Sequence, residues 1–462
     1  MAVAEATPVR WVPDPTAARL SAVIGDSPEL ARRRAESARA VAELPLEPDP
    51  LYRKYGYFAG VDLTGIDPLT VGTPVPAPPP DPQTVTILHD RSGTRLSIPP
   101  ELQEAGVRVE LLHELVGPRS GADGFLGPAE PPTDRLSALS LALLNRGYQL
   151  HIPERFPIPV RLKETTILSE EREAISVRRR FQVGAGTRLL ATEELFSTGP
   201  GDGQRCYAST SEVQLGAGAN AVVVSLHAPD PKTVSVYQRH ATVHDRGRLR
   251  WVWVGLGGFR TKIRNSTEMP GTAADVDDLQ TFFGDSDQSY DSYVRLTHIG
   301  TDTHAQSITR GVFQGTSRGM SRGLVRIEKE ARKTISYISE HAMLLNRGAR
   351  SDTVPILEIL CRDVKATHST SVAPVDPERV FYLESRGIPR AEATRLISEG
   401  YLANVLDRAP VAGLRDLVLP LFGARWEKQP IVWGPDRFPT LPPLEFAGAE
   451  AATDWRFDSK LR

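Results

Sequence analysis

The 462-residue chain is long enough for one large core or about two to three domains. It is 40% hydrophobic and 24% charged with a net charge of −2, which gives no global nucleic-acid or membrane footprint, and no run of 18 apolar residues predicts a transmembrane helix. Its two cysteines, Cys206 and Cys361, speak against a disulfide-built secreted fold and fit a reducing cytosol; they exclude a four-cysteine zinc or iron–sulfur site held by this chain alone.

The opening MAVAEATPVRWVPDP lacks a basic segment followed by an apolar one, so no secretory signal is expected. Ser27, Pro28 and Glu29 form a helix start, and Pro45 stops the Ala/Glu/Arg-rich run that follows. The Pro-rich TVGTPVPAPPPDP reads as a semi-rigid linker. Short strand-like and helix-like pieces follow, and Leu136, Leu139, Leu143 and Leu144 share helical spacing over Arg135–Asn145.

From about Tyr148 to His368 the character is β-rich. Leu249, Trp251 and Trp253 fall on one strand face, with Arg250, Val252 and Val254 on the other. Gly, Asn and Asp recur between the runs, and the absence of a convincing long helix excludes a doubly wound α/β domain. A sandwich or barrel and a parallel β-helix both remain open, since no strict short repeat decides between them. After Val375, Asp376 and Pro377 open a helix that Arg386-Gly387 closes; Pro389 opens a second, with Leu396, Ile397 and Tyr401 as its apolar stripe. Leu414–Phe422 is a third, and the chain from Glu427 is Pro-rich and surface-hugging or disordered. The expected organisation is a mainly helical region with its linker (1–147), a β core (148–375), a helical domain (376–426) and an extended or disordered tail (427–462).

No GxxxxGK[ST] phosphate loop is present, and VGLGGF at Val254–Phe259 reads as a β-turn. His240 and His244 on a strand would lie about 13 Å apart, too far for one ion. His298 and His304 flank a turn satisfied by Asp302 and its threonines. Cys361 shares the parity of Leu357 and Ile359, an inert core thiol if that face is inward, whereas Cys206 beside the GDGQ turn is expected to be more exposed. His368 stands apart: it closes the β region, and imidazole can ligate iron or zinc or carry a proton at neutral pH.

The segments MLLNRGARSDTVPILEI, DVKATHSTS and VFYLESRGIPRAEATRLISEGYL resemble the C-terminal part of the SufB/SufD family of iron–sulfur cluster assembly proteins. Pro355, Glu358, His368 and Phe381–Ile388 stand at the matching positions, and the likeness covers roughly residues 135–405. The resemblance implies a mainly β protein, a right-handed parallel β-helix core between N- and C-terminal helical domains. It implies a non-catalytic cytoplasmic scaffold without ATPase activity. Its implied partners are a SufC-type ABC ATPase docked on Asp376–Leu406 (Phe381, Tyr382, Arg386, Gly387, Ile388) and a SufB-type subunit or a second copy, with no nucleic acid and no membrane. It makes His368 the cluster, interface or metal ligand, with Cys361 and Glu358 as secondary candidates, for an iron–sulfur cluster held transiently and shared with a partner. SufB-type chains carry a scaffold cysteine where this chain has Glu340, and glutamates where it has Thr367 and Ser369, so the likeness is closer to the SufD type. Two other readings compete: a paralogue that binds partners without cluster chemistry, and a β-helix polysaccharide lyase or hydrolase. The latter needs a carboxylate cluster with aromatic platforms, toward which only Trp251 and Trp253 come close.

Overall fold

The computed structural model describes residues 14–47, 58–69, 72–116, 123–126, 134–199, 201–434 and 438–447. Residues 1–13 of the segment read above for a signal and the last part of the expected tail, 448–462, lie outside the described residues.

Sixteen consecutive strands, from Leu144–Ile152 to Val364–Pro374, alternate between two sheets and close eight turns of a parallel β-solenoid. Each strand pairs in parallel with the strand two places on, so odd and even strands build separate sheets of ten and nine strands. Successive turns differ in length: Val234 pairs with Arg260, 26 residues on, and Arg318 with Arg350, 32 residues on. That variation is why no strict repeat is visible in the sequence. The corners demand close backbone approach. A Cβ on Gly271 would lie 2.1 Å from the His244 carbonyl carbon, so only glycine lets these turns stack.

The region expected to be mainly helical also contributes strands. Val85–Asp90 and Gly93–Ser97 extend the ten-stranded sheet, and Arg108–Leu111 caps the nine-stranded one antiparallel to Leu144–Ile152. The Pro-rich stretch packs instead of spanning free: Val75 is buried, its N–H donates to Asp90, and the Pro76 carbonyl accepts from the Trp433 indole at 2.7 Å.

Both outer faces are covered. Helices Pro28–Glu43 and Arg135–Ala142 sit on the nine-stranded sheet with Phe58, Leu136, Leu139, Cys206, Val234 and Val236 between them. Ser27 caps the first helix as expected, and Asp134 caps the second. Cys206 is therefore buried, not exposed, because its strand faces these helices; burial pushes its thiol up to about 12. Helices Arg390–Leu406 and Leu414–Trp426 cover the ten-stranded sheet. The first of them runs straight through Gly400, and its buried stripe is Ala393, Ser398, Leu402, Val405 and Leu406. Leu396, expected in that stripe, is exposed. The tail lies extended along the same sheet: Trp433 packs on Phe196, and the Leu441 N–H donates to Glu194 at 2.7 Å.

The lumen between the sheets has two apolar halves. One holds Leu249, Trp251, Val276 and Val325; the other holds Tyr207, Tyr237, Trp253 and Phe282. Between them runs a polar seam. The Arg179 Nε donates to Glu164 at 2.7 Å, Arg239 donates to Glu193 at 2.8 Å, and Gln280 donates to Asp278 at 2.6 Å. At the seam's margin His227 stacks on Trp253, with Nδ1 2.9 Å from the Tyr237 hydroxyl and Nε2 3.1 Å from Thr261 Oγ1. Burial lowers its imidazole to about 3.

Candidate functional site

The solenoid ends with two strands, Arg350–Ile359 and Val364–Pro374, that lie at the margins of their sheets, and among the described residues no further turn stacks on them. Their residues are half-buried or exposed, unlike those of every preceding turn. Ile359, Leu360 and Val372 add exposed apolar surface to this end. A free pair of edge strands presents unpaired backbone donors and acceptors, a template for adding another chain.

His368 lies on the last strand, opposite Ile338 in the register. Ile338 belongs to the inner apolar cluster, and Val364 and Ala366, of the same parity as His368, pack against that cluster. The His368 side chain thus belongs to the lumen-facing row, at the open mouth. It is exposed, and among the described residues nothing hydrogen-bonds its imidazole.

One strand inward, Glu340 occupies the next lumen-facing position, opposite Thr370. Its carboxyl is 1% exposed. Oε1 accepts from the Ser321 hydroxyl at 2.9 Å on the facing sheet, and among the described residues no donor bonds Oε2. Burial pushes the group up to about 7, although the Ser321 hydroxyl and the Val354 N–H favour the carboxylate.

The secondary candidates separate. Cys361 follows Arg350–Ile359, half-buried, and packs on the inner cluster beside Leu357 and Val364, which fits the inward thiol expected from its parity. Glu358 is not near the lumen. Strand alternation turns it to the outer face of the other sheet, where it pairs with Arg326 at 3.0 Å. His298 is buried and bonded to Thr303 and Ser336, as a turn histidine should be; burial holds it down at about 3.

The sequence reading passed over His341. It lies on the outer face of Thr334–Leu344, with Nε2 3.1 Å from the Ser369 hydroxyl, which in turn lies 2.7 Å from the Tyr337 hydroxyl. Burial and then Arg310 lower His341 to about 4. The signal was its parity, opposite to Glu340, on a strand with polar residues in both rows.

Beside the mouth, helix Pro377–Ser385 starts with Asp376 accepting from the Glu378 N–H at 2.9 Å and gives way to Gly387 at φ 87°. Phe381 and Tyr382 are 70% and 57% exposed, values that set them apart as exposed aromatic surface. The Arg386 guanidinium lies 5.2 Å over the Tyr382 ring; Gly387 is exposed and Ile388 half-buried. Among the described residues, no three His, Cys, Asp or Glu side chains converge to hold a metal.

The model of the SUF-system FeS cluster assembly SufBD core domain matches residues 167–401, which takes in the open end and the first of the two helices beside it. The chain belongs to the SufB/SufD family. Among curated relatives it is similar to the iron–sulfur cluster assembly protein SufD of Bacillus subtilis (strain 168), 25% identical over 342 residues, 72% of this chain and 77% of the relative. A SufBD family protein of Mycobacterium leprae (strain TN) is 26% identical over 69% of this chain and 80% of its own. One of Mycobacterium tuberculosis (strain H37Rv) is 26% identical over 64% and 75%. This SufB/SufD member leans toward the SufD type, and its parallel β-solenoid between helical ends is the architecture the resemblance implied. Among its described residues no helix is long and apolar enough to cross a membrane.

Proposed function

We propose that this SufB/SufD member is a SufD-type, non-catalytic scaffold subunit of iron–sulfur cluster assembly in the cytosol. Helix Pro377–Ser385 and its neighbour would dock a SufC-type ATPase through Phe381, Tyr382, Arg386, Gly387 and Ile388. The open mouth would pair with a SufB-type subunit or a second copy. His368 would contribute one ligand, from the lumen-facing row, to a cluster carried as cargo and completed by the partner's thiolates. The observation that carries this reading is the adjacency of two exposed surfaces: a final turn bearing His368 on which no described residue stacks a further turn, and an aromatic helix beside it. Imidazole is a competent iron ligand, but one imidazole cannot hold a cluster, so the chemistry requires a shared site.

The test is co-purification of the full chain with a SufC-type ATPase and a SufB-type subunit. F381A combined with Y382A should abolish ATPase capture while the melting temperature holds, because both side chains are already in solvent. H368A should leave the complex intact and lower cluster formation in it. Failure of the wild-type chain to capture either partner sinks the proposal; an intact complex indifferent to H368A leaves a binding partner without cluster chemistry.

A further inference from the structure

Glu340 is a buried carboxyl with an unused oxygen, and the seam further down the lumen shows how other carboxylates there are treated. Glu164 is held by Arg179 and Tyr148, and Glu193 by Arg239 and Ser225. Both have a guanidinium within hydrogen-bond distance, and Asp278, which has none, accepts from Gln280 on one oxygen and Asn265 on the other, so each of these three carboxylates has both oxygens engaged. Glu340 has one hydroxyl and one backbone donor, both on the facing sheet side, and Arg322 acts on it only through space. An unmatched buried carboxyl oxygen is costly, so a native structure that keeps one calls for a partner.

The register says where that partner can sit. Glu340 opposes Thr370, and His368 is two residues back on the same neighbouring strand. With strands about 4.8 Å apart and about 3.3 Å of rise per residue, the two α-carbons lie on a diagonal of about 8 Å, both side chains on the lumen face. A metal about 2.1 Å from an imidazole nitrogen and from a carboxylate oxygen fits between side chains of this reach.

We propose that Glu340 and His368 together form a two-ligand site for a divalent first-row metal cation at the mouth of the lumen, with the remaining positions open to solvent or to a partner. This rests on the reading of His368 above and adds to it a second ligand and a class of ion. One imidazole and one carboxylate suit iron(II), manganese(II), cobalt(II) or zinc(II) better than the soft-ligand ions that thiolates select.

Cobalt(II) is the probe, titrated anaerobically into the full chain and followed by its visible absorption. The wild type should bind one equivalent, and H368A and E340Q should each weaken binding at least tenfold, with the double variant little worse than either. Melting curves of the metal-free variants check the fold; if E340Q does not fold, E340D, which withdraws the carboxylate by one methylene, serves instead. Loss with H368A but not with the Glu340 variant overturns this inference and leaves His368 as a ligand. Indifference to H368A, or no cobalt bound by the wild type, overturns the site altogether.

Discussion

Neutralising His227 should flatten the acid limb of this protein's stability, and the size of the effect follows from its surroundings. The imidazole is buried between Trp253 and Tyr237, bonded at both nitrogens, and titrates at about 3 instead of 6.5. In the unfolded chain it takes up a proton as the pH falls through about 6.5, whereas the folded chain takes none until about 3. Stability is therefore complete above the unfolded value and drains away across that window on acidification. Between pH 7 and pH 5 the loss from this one residue is about 2 kcal/mol, at about 1.4 kcal/mol per unit once protonation of the unfolded state is well advanced. H227Q keeps one donor and one acceptor for Tyr237 and Thr261 and cannot titrate. Equilibrium urea unfolding of both proteins at pH 7 and pH 5 should show the wild type losing about 2 kcal/mol more than the variant. Equal losses would refute the claim that a neutral imidazole is locked in the lumen wall.

For Glu340 the sign reverses. The unfolded carboxyl loses its proton near 4.5 and the folded one near 7, so the native state loses ground as the pH rises through that window. Metal-free E340Q should gain on the wild type by about 3 kcal/mol at pH 8 and by almost nothing at pH 4, and superimposable stability profiles would count against it. W433A removes an indole that packs on Phe196 and bonds Pro76; it should cost about 3–5 kcal/mol and expose the tail to limited proteolysis before the solenoid unfolds. G271A must push a Cβ into the His244 backbone and should lower the melting temperature by several degrees, whereas G400A, with open space around it in a helix, should be neutral or stabilising by up to about 1 kcal/mol. Equal melting shifts for the two glycines would show that the corners are not close-packed.

The β-rich middle was legible because the strands alternate and the corners carry turn residues, whereas the choice of a β-helix over a sandwich or barrel came from the family resemblance, since turns of unequal length leave no repeat to read. Leu249, Trp251 and Trp253 were placed on one face, and that face is the lumen wall. Asp376 capped its helix as read. The lumen's polar seam was not legible. Arg179 and Glu193 look like solvent residues in a strand pattern, and alternation cannot tell which face is inside when helices cover the outside as well. The same covering explains Cys206: the turn beside it suggested exposure, but long-range packing of the N-terminal helices decided its burial. Leu396 failed for the opposite reason, since its helix meets the sheet along a different stripe. At the candidate site, His368 was found by position in the chain. The isolation of Glu340 was invisible because it depends on which donors the facing sheet withholds.

The tail closes late in a literal sense. Leu441 bonds to Glu194, 247 residues earlier, so the patch it covers on the first turns is made long before its cover. At roughly 5–20 residues per second of synthesis, about 12–50 seconds separate the two. For most of that interval the solenoid is itself still being made, up to Pro374, and throughout it part of the outer wall of the first turns stays bare. Cells that make this protein therefore face a window of stickiness set by ribosome speed, and slowing translation would widen it without changing a residue.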